Sequence, residues 1–157
     1  MKVLFTFLIL VLNPILVSAM DRSAQVDEIR EATFRYQFQQ NASGSVKVFF
    51  LDVLDPASGK YVDPNEAFIN RFASNKPRVA KGDESSSARA TSRVIDRRTG
   101  DEGVLFTVGV IKWVSDNEVT VEGSVYVAGD SGASGIYHLN KRDGKWVVFK
   151  YDILSVS

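Results

Sequence analysis

Between Val26 and Gln40 the residues Val26, Ile29, Thr33 and Tyr36 recur at three- and four-residue steps, while Glu28, Glu31 and Arg35 fall on other sides. That period predicts a helix. Phe34 and Phe38, four apart, form a second stripe beside the first. The helix is therefore apolar around much of its girth and needs a partner that touches it broadly. Asn41 to Ser45 ends it with turn-forming residues.

Beyond the helix the pattern becomes that of strands. Val46 to Leu54 is apolar on both alternating faces except at Lys47 and Asp52, and rich in branched and aromatic residues, which predicts a buried strand. Asp55 to Gly59 reads as a turn. Asp63-Pro64-Asn65-Glu66 then predicts a short helix, with Asp63 as cap and Pro64 at the first helical position. Phe68, Ile69 and Phe72 supply its buried face, and Asn75-Lys76-Pro77 stops it. Lys81 to Ser87 is polar and reads as a loop.

Five consecutive antiparallel strands are expected next, at about 88–96, 104–115, 118–128, 134–140 and 145–155. Asp143-Gly144 is the strongest hairpin signal among their connections, because both central residues of such a turn tolerate positive φ. Short links between consecutive strands make a meander. Two strands carry apolar residues at odd and even positions alike: Val104, Phe106, Val108 and Val110 against Leu105, Ile111 and Trp113, then Val147, Phe149 and Ile153 against Trp146, Val148 and Leu154. A sheet wetted on one side alternates more cleanly. Both faces are thus expected to be covered, one by the helix and the other by the sheet's own curvature, a ligand or a second subunit.

The N-terminus changes the picture of where the chain acts. Lys2, an apolar run from Val3 to Leu12, Asn13-Pro14 and the small-residue ending Val17-Ser18-Ala19 have the order of a secretory signal peptide. A spanning helix needs about 20 apolar residues, which Asn13-Pro14 interrupts. Cleavage after Ala19 is expected to leave residues 20–157 as a single α+β domain, periplasmic or secreted, with no stable membrane anchor. Of the 157 residues, 19 are basic and 19 acidic, and loss of Lys2 leaves a net charge near minus one. No basic stripe is present, so nucleic acid is not an expected partner. There is no cysteine, which removes disulfides, thiol chemistry and lipid attachment through a thiol. The sequon Asn41-Ala42-Ser43 reads as a chance occurrence.

The order helix, strand, short helix and long meander resembles the nuclear transport factor two-like group within the wider cystatin-like folds. Val108-Gly109, Trp113-Val114-Ser115, Tyr126 and Gly144-Lys145-Trp146-Val147-Val148 are similar in texture to the C-terminal part of small exported bacterial proteins. The resemblance covers most of the chain after Ala19, and its motifs are structural. It implies an α+β fold in which the N-terminal helix packs on a strongly curved, cone-like antiparallel sheet, with the short second helix between the first and second strands. It also implies a conical pocket and dimerisation through the sheet. Such relatives include isomerases, dehydratases and binding domains, so fold alone does not select an activity. The departures are the single leading helix where two or three are usual, and Val125 where the cystatin inhibitory loop has glutamine.

Few chemistries remain open. His138 is the only histidine, and Gly129-Asp130-Ser131-Gly132 is no nucleophile elbow. No metal-ligand spacing is present and no cofactor is expected. Asp52 interrupts an apolar strand, and a buried carboxylate there would have a raised pKa suited to proton transfer, with Tyr126, Tyr137 and His138 as candidate ligand-binding groups. The alternative placement puts Asp52 at a strand end and the tyrosines on a rim. Trp113 and Trp146 are core anchors or the wall of a groove for an apolar ligand or peptide. Between these classes the sequence favours a binding or interaction domain over an acid–base enzyme of isomerase or dehydratase type.

Overall fold

The computed structural model describes residues 14–41, 45–87, 92–129 and 131–157, with 14–21 as backbone alone. Helix α1 spans Pro14–Asn41 and is followed by β1 (Val48–Asp55), β2 (Lys60–Val62), the one-turn helix α2 (Glu66–Ile69) with a 3₁₀ turn at Asn70–Phe72, and β3 (Arg78–Lys81). A 3₁₀ turn at Gly82–Glu84 leads to β4 (Ser85–Ser87) and β5 (Val94–Asp96). The chain ends with β6 (Gly103–Ser115), β7 (Glu118–Ala128), β8 (Ser131–Arg142) and β9 (Lys145–Val156). Residues 1–13 of the expected signal peptide and the sequon residues Ala42 and Ser43 lie outside the described residues, and α1 runs on through the expected cleavage point after Ala19.

The fold is α+β, a helix on a sheet. The sheet runs β2-β1-β6-β7-β8-β9, with β3 beside β1. It is mixed where an all-antiparallel sheet was expected: β1 is parallel to both β6 and β3. The cause is the connection between β1 and β6, which is long enough to carry the chain back to the same end before it pairs. Nor is the sheet strongly curled or closed into a cone. The short helix follows the second strand instead of preceding it, because three residues after the Asp55–Gly59 turn fold back on β1 as β2.

The last four expected strands pair as neighbours, β6 to β9, and Asp143 and Gly144 adopt φ of 50° and 76° in the hairpin turn. The first of the five meets them only through single antiparallel bridges, Arg93 to Ala128 and Ile95 to Glu102. Residues 88–91 are outside the described residues, and β5 pairs with β4 in a separate two-stranded sheet. Ser85–Ser87 thus forms a strand through backbone hydrogen bonds that no hydrophobic period announces. Asp63 is not the helix cap either; Asn65 is, its side chain accepting the Phe68 N–H at 2.9 Å.

Two layers of apolar contact follow from strand alternation. Phe49, Leu51 and Val53 of β1, with Val104, Phe106 and Val108 of β6, meet Ile29, Phe34 and Phe38 of α1. On the opposite face Val48 and Phe50 meet Ala80 and Val94, with Leu105 and Tyr126 packed against them. The two-faced character of β6 has a second cause. Its register shifts between Val108 and Ile111, so that Val104, Phe106 and Val108 face α1 before the shift while Ile111 and Trp113 pack on the same core after it. A bulge reverses the phase of alternation. In β9 the shift between Val148 and Lys150 acts in the same way.

One polar side chain fixes the seating of α1. Gln37, buried, donates from Nε2 to the carbonyls of Thr107 and Ser124 at 3.2 and 3.4 Å and to the Tyr137 hydroxyl at 3.2 Å. Gly123 gives it room: a Cβ there would lie 3.0 Å from Gln37 Nε2 and 2.9 Å from the Tyr137 ring. This is the close approach that a glycine inside a strand marks.

Candidate functional site

The four residues nominated from sequence do not converge. Asp52 lies on the face of β1 away from α1, packed on Gly82 so closely that a Cβ on that glycine would meet its carboxylate. Burial, then Asp63, then Asp83 push its carboxyl above the usual range. Tyr137 is on the other face, beneath α1, stacked on Tyr151 with centroids 4.4 Å apart. Its phenol is pushed up by burial, against the lowering effect of the Gln37 hydrogen bond. Tyr126 donates to the Ser92 carbonyl at 3.2 Å. His138 faces away from α1 and holds Asp152 through Nε2 at 2.9 Å, while Lys150 reaches the same carboxylate oxygen at 2.8 Å. Lys150 and then His138 hold the Asp152 carboxyl below the usual range.

Strand register measures the separation. The row through Asp52 runs to Thr107, Ser124 and Ser134, whereas His138 pairs with Thr120 and Tyr126 with Leu105 and Gly132. None of the four lines any of the clefts described below.

The environment of Asp52 predicts a pH effect. A folded-state carboxyl with a raised pKa is paid for in stability once ionised, so its cost is present above the folded pKa and disappears as pH falls below the unfolded value. Asp63 is also pushed up, by burial and by Asp83, although its Oδ1 accepts the Asp83 N–H at 3.0 Å. Asp52→Asn is therefore expected to melt at a higher temperature than the parent at pH 7 and to lose that advantage near about pH 4. Thermal melts followed by circular dichroism across that range decide it; equal melting temperatures at pH 7 would show that the carboxylate carries no cost.

A different set of residues forms a concave site. Glu28, Glu31, Ala32 and Arg35 share one side of α1, as their spacing requires. Opposite them stand Arg71, from the 3₁₀ turn after α2, and Gly144, Lys145 and Trp146, from the β8–β9 turn. The cleft between holds about 590 Å³. Clefts elsewhere, of about 370, 300 and 240 Å³, are smaller.

Glu31 organises one wall. It accepts Arg35 Nε at 2.9 Å and Arg71 Nη1 at 3.1 Å, and Arg35 also donates to the Arg71 carbonyl at 3.0 Å. The guanidiniums lie over Phe72 and Phe68, at 4.9 and 5.8 Å from the ring centres. A cation over an aromatic face is held electrostatically as well as by its carboxylate. Both are thereby positioned in advance, with donors to spare beyond what one carboxylate can accept. The other wall is the Trp146 indole, 6% exposed and edge-to-face with Trp113 at 5.7 Å. Its Nε1 is buried without a hydrogen-bond partner among the described residues.

Three bases and two acids line the cleft, so its balance is positive. The arrangement can hold an anionic group against the guanidiniums and lay an apolar portion along Ala32 and Trp146. Among the described residues no group of three or more histidine or acidic side chains is placed to hold a metal. Trp146 is the groove wall its place in the sequence suggests, whereas Glu28, Glu31 and Arg35, whose spacing turns them from the core, line the cleft instead of open solvent. The available signal was a charged stripe at helical spacing in a chain whose turn is followed at once by a tryptophan.

No family model, curated protein or solved structure matches this chain.

Proposed function

We infer that the chain is an exported small binding domain whose cleft between α1 and the β8–β9 turn takes a compact amphipathic anion. The observation that carries this reading is the paired Arg35 and Arg71, held by one glutamate at the mouth of a cleft walled by an indole. A volume of about 590 Å³ lies within the range of small-molecule sites. Export rests on the order of Lys2, the apolar run, Asn13-Pro14 and Ala19. No helix among the described residues is long and apolar enough to cross a membrane. The acid–base alternative has the raised carboxyl of Asp52 in its favour and lacks a shared cavity with Tyr126, Tyr137 or His138.

Anilinonaphthalene sulfonate, an anion with an apolar ring system, is a suitable probe. Saturable binding is expected, weakened on the order of tenfold in an Arg71→Gln, Lys145→Gln double variant. Binding unchanged by that double variant would exclude the cleft as the site.

A further inference from the structure

The sheet ends on β9, and this edge is unlike the other. Opposite, β1 is flanked by two short strands, β2 and β3. β9 is 12 residues long, and Val147, Phe149, Ile153, Leu154 and Val156 on it are 41 to 72% exposed. Its uncovered apolar side chains occupy both faces. Ile153 pairs with Gly135 on the α1 side, whereas Val147 pairs with Asn140 on the other, where the Phe149 ring lies 6.1 Å from His138. A partner docking on one face would cover only one set. A strand added at the edge would flank both.

The order of residues in β9 selects the partner. Read against its own reverse about Tyr151, the strand places Lys150 opposite Asp152 and Asp152 opposite Lys150. Two copies related by a two-fold axis would make each charge pair twice, as an isologous interface requires. Lys150 and Asp152 lie on the same face, already 2.8 Å apart within one chain, and both remain partly exposed. Each carboxylate would gain a second lysine while keeping His138 and the lysine of its own chain. The register irregularities of β9 place an extra residue at Phe149 and at Leu154. The ladder is therefore centred on residues 150–152, and the apolar residues beyond them serve as flanking contacts.

We propose that β9 pairs antiparallel with β9 of a second copy about Tyr151, the Lys150 and Asp152 charges exchanging between chains. The anion cleft plays no part in this pairing, so either can fail without the other.

Sedimentation equilibrium on the chain and on charge variants tests it. The parent is expected to dimerise. Lys150→Asp and Asp152→Lys, each of which sets like charges together, are expected to weaken association on the order of tenfold or more. The combined Lys150→Asp, Asp152→Lys variant restores opposite charges and is expected to recover the dimer. Circular dichroism on each variant confirms that these partly exposed substitutions leave the fold intact. A parent that stays monomeric to its solubility limit overturns the proposal and leaves the edge for a strand of another protein. Dimers indifferent to the single reversals, or a combined variant that stays dissociated, overturn it equally.

Discussion

Replacing Phe38 with alanine is expected to remove about 3–5 kcal/mol of folding stability. The ring sits between helix and sheet, 4.7 Å from Phe49 and 5.2 Å from Phe106 on the strands, and 5.6 Å from Phe72 beyond α2. Phe34, one turn earlier on α1, stacks beside it at 6.3 Å. Losing the ring forfeits both its transfer from water and the contacts of its neighbours, since four aromatic rings cannot all move into the vacated space. A domain with a total stability of about 5–15 kcal/mol has little margin for such a loss. Urea unfolding followed by the fluorescence of Trp113 and Trp146 should show a midpoint shifted far downward. A loss under about 1 kcal/mol would mean that α1 is held by something other than this cluster.

Asp96→Ala is expected to remove about 2–3 kcal/mol of folding stability through lost polar contacts. The side chain is 1% exposed; its Oδ1 accepts the Arg98 and Thr99 N–H groups at 2.7 and 3.1 Å, and its Oδ2 meets the Arg78 guanidinium. It thus joins β3, the β4–β5 sheet and the turn that leads into β6. Burial works against its ionisation, but the two backbone donors and Arg78 prevail and hold the carboxyl below the usual range. The value lies below that of a fully buried pair because Arg78 is itself 41% exposed. A depressed carboxyl contributes stability that is complete above its unfolded pKa and is lost as pH falls through the folded one. The gap between variant and parent should therefore be full at pH 7 and close progressively below about pH 4. A gap independent of pH would assign the cost to packing instead of charge.

The sequence made legible those elements whose apolar period is long and those whose turns carry a backbone requirement. α1, β1 and the four strands of the meander follow from the spacing of Ile29, Phe34 and Phe38, the run Val46 to Leu54, and the Asp143-Gly144 pair. β2 and β4 did not follow, because three residues such as Lys60-Tyr61-Val62 or Ser85-Ser86-Ser87 are too few to set a period and pair only through their backbone. The apolar residues on both faces of β6 had two sources that a pattern alone does not separate. Leu105 is covered by the second cluster, while Ile111 and Trp113 owe their phase to the shift after Val108. Gly109, in the middle of that strand, was the available sign of a bulge.

For the site, the raised carboxyl of Asp52 follows from its place in an apolar strand, yet its neighbours do not. Asp63 and Asp83 are brought to it by the pairing of β2 with β1 and by the Gly82–Glu84 turn, and Gly82 closes over it. The tyrosines and His138 were divided between the two faces by strand alternation, so residues adjacent in sequence, Tyr137 and His138, lie on opposite sides of the sheet. The cleft was hidden for a different reason. Its walls come from α1, Arg71 and Lys145, which are far apart in sequence, and the charged side of a helix looks the same in the chain whether it meets water or a cleft.

The most direct test of the binding account is an NMR titration with anilinonaphthalene sulfonate, following the backbone amides and the two tryptophan indole N–H signals. The Trp146 indole and the amides of Arg71, Gly144 and Lys145 are expected to move together and saturate with one affinity. Shifts concentrated instead around Asp52, Asp63 and Asp83, or spread without saturation, would contradict it.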